Sequence, residues 1–107
     1  MSESQLVSAI IKRYYKHPQV FLWRSNAGVF KTFGGSRVQC NFKGLGDITG
    51  FLAPNGKFLA IETKDTTKQE ESQKEFQAEV ESKGGIYIIT WDLKTVIDRL
   101  TLEGIHG

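Results

Sequence analysis

Apolar and polar residues alternate along this chain in several rhythms, and each rhythm predicts an element. Leu6, Val7, Ile10, Ile11 and Tyr14 recur at helical spacing behind a Ser2 N-cap whose capping-box partner is Gln5. That helix is expected to stop near Lys16, because His17 precedes Pro18 and is biased out of the α region. Val20 to Arg24 is β-branched and aromatic between turn formers, which predicts a first strand. Val29 to Phe33 and Arg37 to Phe42 flank Gly34-Gly35 and predict a second, more polar hairpin. A helix from about Gln69 to Lys83 ends at Gly84-Gly85 and has a thin apolar face, Phe76 and Val80. Ile86 to Trp91 is a continuous apolar run, hence a buried strand. Asp92 then caps a last helix that turns Leu93, Val96, Ile97 and Leu100 inward, after which Leu102 to Gly107 are expected to fray.

The stretch from Gly44 to Lys64 organises the others. Asn55-Gly56, inside Pro54-Asn55-Gly56-Lys57, lies between two apolar runs and signals a tight hairpin, since both central turn residues need positive φ. A loop centred there sets Asp47 opposite Lys64 and Thr49 opposite Glu62, all four on one sheet face, whereas an odd-length loop would throw Asp47 out of phase. Asp47 and Glu62 become diagonal neighbours about 7–8 Å apart or less, near enough to share a cation. Phe58-Leu59-Ala60-Ile61 is apolar on both faces like an interior strand, and the charges begin where it ends, at what should be an exposed strand end. The plain alternative is an edge hairpin with an exposed Asp47–Lys64 ion pair worth under about 1 kcal/mol. An edge strand, however, rarely carries so continuous an apolar run. Gln73, on the inward face of its helix, is either a surface filler or a polar group aimed beyond the end of the Glu62 strand. Glu3, in the first helical turn, reads from spacing alone as a carboxylate favoured by the helix dipole.

Composition narrows the setting. At 107 residues, 39% hydrophobic and 24% charged, the chain reads as one globular domain, residues 1–107. The lone Cys40 rules out an internal disulfide and fits a reducing compartment. No stretch has the length of a membrane span and no cationic-then-apolar leader opens the chain, so a cytoplasmic protein without a membrane partner is expected. A net charge of +2 permits nucleic acid without demanding it. Ten of the fourteen Lys and Arg residues precede position 70, among them Lys12, Arg24, Lys31, Arg37 and Lys43, while Glu70, Glu71, Glu75, Glu79 and Glu81 crowd one helix. This is either a polyanion-facing half or ordinary solvated charge, and the basic second hairpin is either a phosphate contact or a solvated ribbon. His17 and His106 are assigned no role.

The order of elements, an Asp before the hairpin, and Glu62-Thr63-Lys64 closing its second strand resemble the PD-(D/E)XK nuclease superfamily, and within it the virus-type replication-repair nuclease (VRR-NUC) domain with its small phage and bacterial members. The resemblance covers nearly the whole chain and rests on Glu3, Arg24-Ser25-Asn26-Ala27-Gly28, Gly44-Leu45-Gly46-Asp47, Glu62-Thr63-Lys64 and Gln73. Gly46 departs from it, since the family usually has proline there.

The resemblance implies an α/β (α+β) fold with a restriction-endonuclease-like core, a mixed central sheet flanked by helices, in the order αβββαβα with an extra hairpin. It implies a Mg²⁺- or Mn²⁺-dependent DNA endonuclease acting on branched or structured DNA such as Holliday junctions. Asp47, Glu62 and the Thr63 carbonyl become metal ligands, Lys64 the group that handles the attacking water, Gln73 its positioner, and Glu3 a further member of the site. Arg24, Asn26, Lys31, Arg37 and Lys43 are candidate DNA contacts. A homodimer is expected, its interface on the second hairpin, which carries Phe30, Phe33, Val38 and Phe42. A non-catalytic DNA-binding module that keeps the nuclease fold is the alternative, and a small structural protein whose hairpin charges merely pair is a third reading.

Overall fold

The computed structural model describes residues 2–25, 29–31, 37–39, 46–64 and 71–107. Along them run α1 (Glu3–Arg13), β1 (Val20–Arg24), β2 (Val29–Lys31), β3 (Arg37–Gln39), β4 (Ile48–Leu52), β5 (Lys57–Thr63), α2 (Glu71–Ser82), β6 (Ile86–Thr90) and α3 (Leu93–Leu102). Four strands form one mixed sheet in the order β1-β4-β5-β6, antiparallel as far as β5 and parallel between β5 and β6. β2 and β3 pair separately as an antiparallel ribbon, whose side chains, including Phe30 and Val38, lie outside the description, as do Phe33 and Phe42.

Alternation assigns the two faces of the sheet. Val20, Ile48, Leu52, Leu59, Ile61, Ile86 and Ile88 turn to one side and pack against Leu6, Val7 and Ile10 of α1 and Val96 and Leu100 of α3. Ala60 and Tyr87 turn to the other side and meet Phe76 and Val80 of α2. β5 is covered on both faces, as its unbroken apolar run requires. The coarse expectation of a mixed sheet flanked by helices therefore holds. Among the described residues, no helix is long and apolar enough to cross a membrane.

Three local expectations are corrected. α1 closes at Arg13, three residues before Lys16, because Lys16 takes a left-handed φ of 57° and the His17 amide turns back to the Tyr14 carbonyl. The β4–β5 loop is Ala53 to Gly56, closed by the pair Leu52 and Lys57, so it is not centred on Asn55-Gly56. Pro54 has no N–H to give a ladder, and the Ala53 amide, bonded to the Gln19 carbonyl at 2.8 Å, extends the β1–β4 pairing in register up to that proline. Finally, the C-terminal tail does not fray. Gly104, at φ 89°, lets the Ile105 amide return to the Leu100 carbonyl and the Gly104 amide to that of Thr101, a Schellman closure.

That closure drops Ile105 into the α1/α3 side of the core at 4% exposure, and His17 Nε2 bonds to the His106 carbonyl at 2.7 Å. Ile105→Ala is expected to destabilise the fold by about 2–4 kcal/mol, read as a lower urea midpoint at constant slope. A frayed tail would leave the midpoint where it was.

Candidate functional site

On the α2 side, the sheet presents its side chains in rungs. Register places Phe21, Phe51 and Phe58 in one rung and Trp23, Thr49 and Ala60 in the next. A third rung continues just past the ladder, where the Ser25 amide bonds to the Asp47 carbonyl at 2.7 Å and Glu62 follows Ile61, the partner of Ile48. The same register opposes Asp47 to Glu62 rather than to Lys64, and Thr49 to Ala60 rather than to Glu62. The displacement is by two residues, so every side chain keeps its predicted face.

The rung is fixed from both strands. Asp47 Oδ2 accepts from the Thr63 amide and from the Thr63 hydroxyl, each at 2.8 Å. Gln73 of α2 reaches down to the sheet, donating from Nε2 to Glu62 Oε1 at 2.7 Å and accepting from Lys64 Nζ at 3.0 Å. Lys64 Nζ itself lies 3.5 Å from Glu62 Oε1. Among the described residues, Asp47 Oδ1 and Glu62 Oε2 accept no hydrogen bond. Gly46 must be small, because a Cβ there would stand 2.7 Å from the Ile61 carbonyl oxygen, a close approach that seats Asp47 against β5.

Glu62 and Lys64 are 7% and 6% exposed, so the expected exposed strand end is in fact buried. α2 supplies Gln73 above them, and the Lys64 amide is held by the Thr90 carbonyl of β6 at 2.9 Å. Burial raises the Glu62 carboxyl to about 7, and the negative charge of Asp47 adds to that rise against the opposing pull of Lys64 and Gln73. Two carboxylates with open oxygens beside a buried ammonium can hold a hard cation and orient a water molecule.

Of the other candidates, Glu3 and Arg24 are described with their side chains. Glu3 opens α1 in its first turn, and among the described residues no three His, Cys, Asp or Glu side chains group as a metal site, so Glu3 does not join Asp47 and Glu62. Arg24 alternates onto the α1 face of the sheet, where Nη2 bonds to Ser8 Oγ at 3.1 Å. Asn26 and Lys43 lie outside the described residues, and the side chains of Lys31 and Arg37 lie outside the description. Two site neighbours escaped the sequence reading of roles. Ser25 Oγ donates to the Gly46 carbonyl at 3.0 Å and sits 2.6 Å from Thr49 Oγ1, buttressing the Asp47 segment. The strand period from Asp47 to Thr49 was the available signal.

In comparison with known proteins, no family model matches the chain and no curated protein matches it.

The raised Glu62 carboxyl makes stability depend on pH. Between about 4.5, where a free Glu titrates, and about 7, the folded chain holds a proton that the unfolded chain releases. The contribution from Glu62 is fully present below the lower value and is lost as pH rises through the upper one. Metal-free protein should therefore lose on the order of 1–3 kcal/mol between pH 5 and 7.5 through this group. Glu62→Gln should flatten that decline in the melting temperature; an unchanged slope would contradict the assignment.

Proposed function

We propose that the chain is a metal-dependent DNA endonuclease of PD-(D/E)XK type that cuts branched or structured DNA such as Holliday junctions. The observation that carries the reading is the rung in which half-buried Asp47 opposes buried Glu62 while Gln73 ties Glu62 to Lys64. The chain path supports it as well. α1, the antiparallel run β1-β4-β5, the α2 crossover and parallel β6 follow the order that the resemblance implies, with β2–β3 as the extra hairpin.

Hydrolysis of a phosphodiester gathers negative charge on the phosphoryl oxygens, and Mg²⁺ or Mn²⁺, when bound, polarises the phosphate and acidifies a water molecule. The open oxygens of Asp47 and Glu62 suit such a hard cation. The Thr63 carbonyl is the third proposed ligand, since the Thr63 amide faces Asp47 and an extended residue turns both backbone groups toward the same neighbour. Glu3 is left out of the set. Lys64 holds the attacking water and offsets charge in the transition state, while Gln73 fixes the Lys64 and Glu62 side chains against each other.

Junction, flap, duplex and single-stranded DNA, each with Mg²⁺, Mn²⁺ or EDTA, test this directly. Cleavage is expected only with metal and most strongly on branched DNA. Because Glu62 and Lys64 are buried and Asp47 half-buried, near-isosteric changes are the fair test: Asp47→Asn and Glu62→Gln should abolish cutting, and Lys64→Met should slow it by about 10²–10³-fold. Gln73→Ala should cost about 10–100-fold, as loss of a positioning group does. Full activity in either carboxylate variant rejects the proposal, and DNA binding with no cleavage under any metal selects the non-catalytic module instead.

The proposal includes a homodimer, since two incisions at a junction are most simply made by two sites related by two-fold symmetry. Light scattering at micromolar concentration should report twice the 12.0 kDa chain mass.

A further inference from the structure

Beside the carboxylate rung, the α2 face holds a cleft of about 540 Å³. Its origin lies in the middle rung, where Thr49 and Ala60 are too small to fill the space between Trp23 on β1 and Phe76 and Val80 on α2. The volume lies in the range of about 300–1,000 Å³ common to small-ligand sites, and the mixture of aromatic walls and a few polar atoms is also typical of them.

We propose that this cleft receives an unpaired nucleobase of the DNA strand being cut, which makes an unstacked nucleotide next to the scissile phosphate part of the substrate; the inference deepens the nuclease reading and rests on it. Continuity is the first argument. Thr49 stands two strand residues from Asp47 on the same face, about 6.6–6.8 Å away, a distance that one nucleotide spans from phosphate to base. Ser25, which lines the cleft, bonds through its amide to Asp47 and through its hydroxyl to Gly46, so cleft and carboxylates share one wall.

Chemistry is the second argument. Ser25 spends its hydroxyl proton on the Gly46 carbonyl, so in the 2.6 Å pair Thr49 is the donor. The Thr49 oxygen then has acceptor capacity that, among the described residues, nothing uses, although the side chain lines the cleft at 7% exposure. A ring or exocyclic N–H of a base satisfies that oxygen, whereas an aliphatic side chain does not. Trp23 is 42% exposed yet braced by Phe21 and Phe51, with ring centroids at 5.8 and 6.2 Å, so it offers a prepositioned stacking surface. At the rim, Lys83 and Glu79 pair at 2.5 Å and leave the mouth without net charge toward the strand.

Trp23 also reports on the site. In a Trp91→Phe background with EDTA present, a short single-stranded oligonucleotide should quench Trp23 emission, and the blunt duplex of the same sequence should quench it far less. Trp23→Ala should weaken single-strand binding about 5–150-fold, the usual range for one stacked base. The isosteric Thr49→Val should weaken it about 2–12-fold. With Mg²⁺, both changes should raise KM on substrates with an unpaired base more than they lower kcat. Metal-dependent cutting with Trp23 emission indifferent to DNA overturns the base cleft and leaves the nuclease standing. Quenching without cleavage under any metal leaves the cleft and removes the nuclease. Trp23 emission that shifts with protein concentration alone, without DNA, assigns the face to a second copy of the chain and overturns the proposal.

Discussion

The pairing of β4 with β5 is the constraint on which the rest depends. β5 runs through the middle of the sheet, and its neighbour on one side is set by the Ala53 to Gly56 loop. The side-chain period of a strand is two, so a slip of one residue there would carry Asp47 to the α1/α3 face while Glu62 and Lys64 stayed under α2. A slip of two keeps the faces and only changes which residues look across at each other. The Ala53–Gln19 bond carries the β1–β4 ladder up to Pro54, which has no donor to give, and the chain turns there into β5.

That pairing brings two carboxylates together at the buried end of a strand, an arrangement costly by itself. Like charges and desolvation both push Glu62 toward its neutral form, and Lys64 and Gln73 offset only part of this. The geometry is therefore strained electrostatically while it is well satisfied in hydrogen bonds on one side of each carboxylate. A cation between the open oxygens would remove the conflict, which is why the same network that lowers stability at neutral pH suits the proposed metal chemistry.

Packing on the α2 face follows from residue size. α2 covers β5 and β6 through Phe76 and Val80, whereas Phe21 and Trp23 on β1 and Phe51 on β4 remain largely uncovered. Between these two zones the small Thr49 and Ala60 make a hollow beside the carboxylates. On the opposite face, two helices and the returning Ile105 pack on large aliphatic residues.

The sequence by itself determined the elements and their faces. The capping box at Ser2, the cap at Asp92, the apolar run of β5 and the periods of α1 and α3 all depend on residues close together in the chain, and each is found where its pattern lies. The gathering of Asp47, Glu62, Lys64 and Gln73 was legible for the same reason, because strand parity and helix phase survive small errors in the loop. The Schellman ending at Gly104-Ile105 is also encoded locally, in the glycine that follows the last helical turn. What only the tertiary structure decided was the pairing partner of Asp47, the burial of Glu62 and Lys64, and the separation of Glu3 and Arg24 from that pair. Those depend on contacts between distant segments, Ala53 with Gln19, Lys64 with Thr90, Arg24 with Ser8, and no local period encodes which of two distant backbones will meet.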